Sequence, residues 1–142
     1  MVLSVKGRNN LVMAAVLAAF VGLYAFQATQ KRQGQYSFAD PNVIGKGKPV
    51  LLEFGSDYCR PCREMKPVLA QLDSQFHRVF TVAFADIWQK EALAEQYKIS
   101  VIPTQIFFDG QGKELFRHEG FYPAERILAK WKELGIEAGT KR

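Results

Sequence analysis

The hydrophobic patterning of the chain predicts an α/β fold: a central mixed sheet with helices on both faces in three α/β/α layers, preceded by an N-terminal hydrophobic helix. Three observations carry that prediction. The apolar run Val50-Leu51-Leu52-Glu53-Phe54 stops at Gly55-Ser56-Asp57 and turns directly into a stretch of helical periodicity. Two more apolar strands follow, one over Val79 to Ala85 and one that continues to Phe108 from a stretch opening as a proline loop at Val101-Ile102-Pro103, and the second enters a hairpin. An amphipathic stretch ends the pattern, with Ile127, Leu128, Trp131 and Leu134 on one side.

The 142 residues, 48% hydrophobic and 23% charged, suffice for one domain plus an extension and are too apolar for a disordered chain. The net charge of +5 comes from one end. Of 19 basic residues, Lys6, Arg8, Lys31 and Arg32 precede the first acid, Asp40, which leaves 15 against 14 acidic residues from Gln33 onward. No basic stripe follows a phosphate backbone, so nucleic acid is excluded as a partner.

Those four charges flank the apolar segment Leu11 to Phe26, an export signal of some kind. Its length is slightly short of the roughly 20 residues of a spanning helix, and Ala28 with its uncharged neighbours extends it. Cleavage after Ala28 would put Phe26 at the third position before the cut, and cleavage after Ala25 would put Leu23 there, where small residues are preferred. We therefore expect a retained anchor over 1–32, secretion after cleavage being the alternative. No cysteine follows that could carry a lipid. Two basic residues on each side leave the orientation open.

Residues 33–47 read as a linker with short first elements. Tyr36-Ser37-Phe38 is a candidate edge strand, and Asp40-Pro41 caps a very short helix that Gly45 stops. The domain proper is expected over 48–142. Pro49 opens the first strand. Met65, Val68, Leu69, Leu72 and Phe76 form the apolar side of the helix after it. Glu91 to Tyr97 is a second helix with Ala92, Leu93 and Ala94 toward the core, and Trp88 is expected in the core. Asp109-Gly110-Gln111-Gly112 is a hairpin turn into Glu114-Leu115-Phe116-Arg117, Gly120 allows a bulge or close backbone approach, and Pro123 opens the last helix.

The chemistry sits at Cys59-Arg60-Pro61-Cys62, which holds both cysteines of the chain. At the start of a helix, free N–H groups and the positive end of the dipole stabilise a thiolate at Cys59, and Arg60 and Arg63 add positive charge. Cys59 is then the attacking thiolate. Cys62, one turn on, is placed to resolve the mixed disulfide. Pro61 fits an early helical position that needs no N–H. A structural zinc site would have to add His77 and His118, which lack finger-like spacing and read as surface residues, and no metal is expected. A structural disulfide across two residues closes too short a loop to stabilise much. Carriage of Cu(I) by the two soft thiolates stays open, as does a binding module with incidental thiols.

With these residues in view, the sequence resembles the thioredoxin superfamily from about Lys48 to Leu134. Cys59-Arg60-Pro61-Cys62 looks like its active-site motif, Pro67 matches the proline that kinks the active-site helix, and Val101-Ile102-Pro103-Thr104 looks like its cis-proline loop. Tyr58 stands where the family commonly has Trp, Gly55 replaces another frequent aromatic, and Arg-Pro replaces Gly-Pro between the cysteines. The departures bear on redox potential and partner choice.

The resemblance implies a thioredoxin fold and thiol–disulfide exchange on disulfide-containing protein substrates, without a cofactor. It implies that Glu53, six residues before Cys59, is the buried acid exchanging protons with Cys62, through a water, and that Pro103 is cis, its loop leaving the backbone at Ile102 free to bind an extended substrate. Tyr58, Gly55 and Phe121 are a candidate apolar rim. It further implies a domain facing the periplasm from the inner membrane, working as a reductant in cytochrome c maturation or thiol rescue with electrons from a membrane donor; a monomer is expected. Arg60 pushes toward an oxidising protein, so a disulfide oxidase or isomerase remains the alternative.

Overall fold

The computed structural model describes residues 13–25 and 36–137. Residues 13–25 are helical, and no helix among the described residues is long and apolar enough to cross a membrane. The remainder of the expected anchor, including Leu11, Val12, Phe26 and Ala28, lies outside the described residues. By its contacts the chain divides into two units, Met1–Tyr36 and Ser37–Arg142.

The second unit is built on four strands, β1 (Val50–Gly55), β2 (Thr81–Asp86), β3 (Thr104–Phe108) and β4 (Glu114–Glu119). They lie in the order β2-β1-β3-β4. β1 and β2 are parallel, joined by a crossover through helix α1 (Arg60–Phe76), while β1–β3 and β3–β4 are antiparallel. Helices α2 (Glu91–Gln96) and α3 (Ala124–Glu133) complete the set.

All six residues of β1 are buried, because both of its faces are covered. Side chains alternate along a strand, so Leu51 joins the cluster of Met65, Leu69, Ile127 and Trp131 beneath α1 and α3. Val50, Leu52 and Phe54 point the other way, into a second cluster with Ile44, Leu93, Ala94 and Tyr97. Trp131 anchors the first core, its ring centroid 4.6 Å from Phe107 and 5.1 Å from Phe80.

Several local expectations are corrected. Tyr36-Ser37-Phe38 forms no strand, and only Ala39 bridges, to Ala83 of β2. Asp40 does cap a 3₁₀ turn over Pro41–Val43, its carboxylate accepting from the Asn42 N–H. Trp88 is 72% exposed rather than in the core, because a single residue in the β2–α2 turn is oriented by that turn and not by strand or helix alternation. Ala92 is also exposed, and the short α2 turns only Leu93 and Ala94 inward.

Candidate active site

Cys59 is the N-cap of α1 rather than part of its first turn. Its extended backbone ends the loop, its carbonyl accepts from Arg63 N–H at 3.1 Å, and its Sγ lies 3.4 Å from the Cys62 amide nitrogen as acceptor. Pro61 occupies one of the first two helical positions. The two sulfurs are joined as a disulfide, with Cα atoms 5.3 Å apart. Cys62 is fully buried and Cys59 half-buried. An incoming thiolate therefore reaches Cys59 Sγ and not Cys62 Sγ.

The loop 55–59 is held from both sides. Ser56 Oγ accepts from the Tyr58 N–H at 3.2 Å and from the Trp88 indole Nε1–H at 3.1 Å. The Ser56 carbonyl accepts from Cys59 N–H, and the Gly55 carbonyl from Ile87 N–H at 3.1 Å. Arg63 donates to the Asp57 carbonyl, and Lys66 pairs with the Asp57 carboxylate. Trp88 is thus an exposed indole pinned by its polar edge to the loop that leads into the disulfide. No local pattern marks this, because the pairing of Ser56 with Trp88 spans two elements.

The Ile102–Pro103 bond is cis, and the Ile102 carbonyl oxygen lies 3.9 Å from Cys59 Sγ. Gly120, at φ +94°, donates its N–H to the Pro103 carbonyl at 2.7 Å and ties the end of β4 to this loop. Tyr58, Val101 and Phe121 are exposed, Tyr58 most of all. Gly55 is not part of that rim. It is buried, and a Cβ added there would sit 3.0 Å from Phe84 Cε2 and 3.4 Å from Cys62 Cβ, so the Phe84 ring fills the space a side chain would need.

Glu53 is fully buried, two residues before Gly55 and on the same face of β1 as Leu51. Burial pushes its carboxyl up to about 8, and a hydrogen bond from Gln105 Nε2–H, 2.9 Å from Oε2, pulls the other way. Gln105 was missed from the sequence, although a polar residue within Thr104-Gln105-Ile106-Phe107-Phe108 is a visible irregularity. Arg60 is solvent-exposed and paired with Glu64 at 3.1 Å. His77 lies at the end of α1, and His118 on β4 stacks on Tyr122 with ring centroids 4.0 Å apart. Among the described residues no three His, Cys, Asp or Glu side chains gather as a metal site.

The family model of a thioredoxin-like domain matches residues 39–135. The chain belongs to the thioredoxin-like family. A thioredoxin-like protein of Synechocystis sp. is 36% identical over 86 residues, covering 61% of this chain and 81% of that protein. Thioredoxin of Chlamydia trachomatis is 36% identical over 94 residues, covering 66% and 87%. A thiol:disulfide interchange protein homologue of Synechocystis sp. is 27% identical over 133 residues, covering 87% and 72%. Among solved structures, the germline thioredoxin Deadhead of Drosophila melanogaster superposes with a TM-score of 0.58 at 26% identity, covering 63% of this chain and 84% of its own. This thioredoxin-like chain is a disulfide oxidoreductase with its redox pair at Cys59 and Cys62.

Proposed function

We propose that the chain reduces disulfides in protein substrates, with Cys59 as the nucleophile, Cys62 as the resolving thiol and Glu53 as the proton acceptor. The observation that carries this reading is the asymmetry of the pair: a reachable sulfur at a helix N-cap bonded to a buried one. The Cys59 thiolate attacks a substrate disulfide, and one substrate sulfur leaves as thiolate. Glu53 as carboxylate takes the Cys62 proton through a water. Cys62 Sγ then attacks Cys59 Sγ, and the second substrate sulfur leaves with the electron pair. The substrate gains two electrons and the cysteine pair is oxidised. With its carboxyl raised to about 8 by burial, Glu53 holds and releases a proton close to neutral pH, as a group exchanging protons with Cys62 must.

The Ile102 carbonyl beside Cys59 offers an acceptor to the backbone of an extended substrate, and Tyr58, with Val101 and Phe121, its apolar flank. Arg60 and Pro61 tune the thiolate. We place the domain outside the cytoplasm, tethered by residues 1–32 to the inner membrane and facing the periplasm, with electrons from a membrane donor and substrates in cytochrome c maturation or thiol rescue. The match to the thiol:disulfide interchange homologue supports treating the amino-terminal region as part of the protein's design, since 87% of the chain is more than residues 39–142 provide.

Turnover of insulin disulfides with dithiothreitol, abolished in Cys59→Ser, tests the enzyme, and stoichiometric Cu(I) binding without turnover would replace it with a carrier. Titration of the Cys59–Cys62 couple against glutathione separates reductant from oxidase or isomerase. A pH–rate profile of Glu53→Gln that overlays the parent would remove Glu53 from the mechanism. Protease accessibility of the domain in spheroplasts tests the tether and its orientation.

A further inference from the structure

Strand register places Phe84, Glu53, Gln105 and His118 side by side across β2, β1, β3 and β4, on the face covered by α1. Glu53 and Gln105 are both fully buried and directly opposed. One hydrogen bond joins them, Gln105 Nε2–H to Glu53 Oε2 at 2.9 Å. The other polar atom of each side chain, Glu53 Oε1 and the amide oxygen Gln105 Oε1, has no hydrogen-bond partner among the described residues. Two orphaned acceptors on facing side chains are costly in so apolar a place.

A carboxylate cannot satisfy them, since both oxygens only accept. A carboxylic acid can: its O–H at Oε1 donates to Gln105 Oε1 while Oε2 goes on accepting from Nε2, and every oxygen of the pair then has a partner. An amide is suited to this because it holds a donor and an acceptor in fixed positions without titrating. We infer that Gln105 is the positioning residue of the buried acid, clamping protonated Glu53 through two reciprocal hydrogen bonds while the cysteines are bonded and retaining the Nε2–H bond once the proton has left. The inference rests on the proposed proton exchange between Glu53 and Cys62. When a reducing thiolate attacks Cys59 Sγ, the S–S bond breaks and its electron pair goes to Cys62 Sγ, which takes the Glu53 proton through the water. The carboxylate left behind is still held by the amide, so the site changes protonation without either side chain turning.

Other titratable groups face this row. Helix α1 brings Cys62 and also Lys66, whose Nζ lies 5.4 Å from the Phe84 ring centroid and pairs with Asp57. β4 brings His118, stacked on Tyr122. Helix α3 brings Arg126 and Lys130, over the Tyr122 and Phe116 rings.

The test uses the full chain in its disulfide form, with glutamine and glutamate side chains isotopically labelled for NMR. On titration, Glu53 Cδ, Gln105 Nε2 and Gln105 Cδ are expected to shift together with a midpoint near 8, because loss of the proton breaks the bond onto Gln105 Oε1. A Gln105 Cδ that stays still while Glu53 titrates would overturn the clamp, since the amide would then be a donor only. This arm needs no variant to fold. In Gln105→Met the infrared C=O stretch of protonated Glu53 should move to higher frequency, and an unchanged stretch is equally fatal. His118→Asn should keep the shared midpoint; its disappearance would assign the titration to His118 and refute the pairing. None of these readouts involves turnover. A clamp seen beside an undisturbed Glu53→Gln rate profile would therefore sink the proton exchange alone, and the opposite combination would sink the clamp alone.

Discussion

Replacing Glu53 by Gln should stabilise the oxidised protein, by an amount that grows with pH. The carboxyl has an ordinary value of 4.5 and is raised to about 8 in the fold, chiefly by burial. Below 4.5 the group is protonated in both folded and unfolded chains and contributes no pH dependence. As pH rises, the unfolded chain ionises while the folded one keeps its proton, so the folded state loses about 1.4 kcal/mol per pH unit until it too ionises. Across the interval from 4.5 to about 8 this reaches a ceiling of about 5 kcal/mol, a large part of the stability of a domain this size. Gln cannot ionise, and its amide can still exchange two hydrogen bonds with Gln105, so the substitution isolates the charge. The assay is urea unfolding of disulfide-intact parent and variant at a series of pH values. All other titrating groups are shared and cancel in the difference. The difference should be small near pH 5 and reach several kcal/mol near pH 8. A difference that is flat across this range would refute the argument, because it would mean that Glu53 ionises in the fold as it does in water.

Further outcomes follow from the same geometry. Cys62→Ser should accumulate a mixed disulfide between Cys59 and substrate, visible as a mass adduct, whereas Cys59→Ser should accumulate none, because the remaining thiol is buried. Arg60→Gly should make the couple more reducing by only about 10 mV, since Arg60 is exposed and already paired with Glu64; glutathione equilibration measures this. Gly55→Ala should cost about 1 kcal/mol in thermal or urea unfolding through its contact with Phe84, and clearly less in a Phe84→Ala background. Trp88→Phe keeps an aromatic ring but removes the indole donor to Ser56, costing about 1 kcal/mol and slowing turnover of protein substrates more than of a small disulfide.

The sequence alone determined the parts that local pattern encodes. The apolar run of β1, the turn at Gly55-Ser56-Asp57 and the periodicity from Met65 to Phe76 fix a strand, a turn and a helix within a few residues of one another, so the cysteine pair had to fall at a helix start. The hairpin at Asp109 to Gly112 and the apolar side of α3 were legible for the same reason. What the sequence left blank depends on register between distant segments. Only the sheet decides that Gln105 faces Glu53, that the Phe84 ring occupies the space above Gly55, and that the Ile102 carbonyl comes within 3.9 Å of a sulfur 43 positions earlier. Trp88 shows the same limit from the other side: as a large apolar side chain it is expected in the core, and a hydrogen bond to Ser56 holds it at the surface on the loop that leads into the disulfide. Patterns of three or four residues report which face of an element is apolar. The partners that face acquires are set only when strands pair and helices pack.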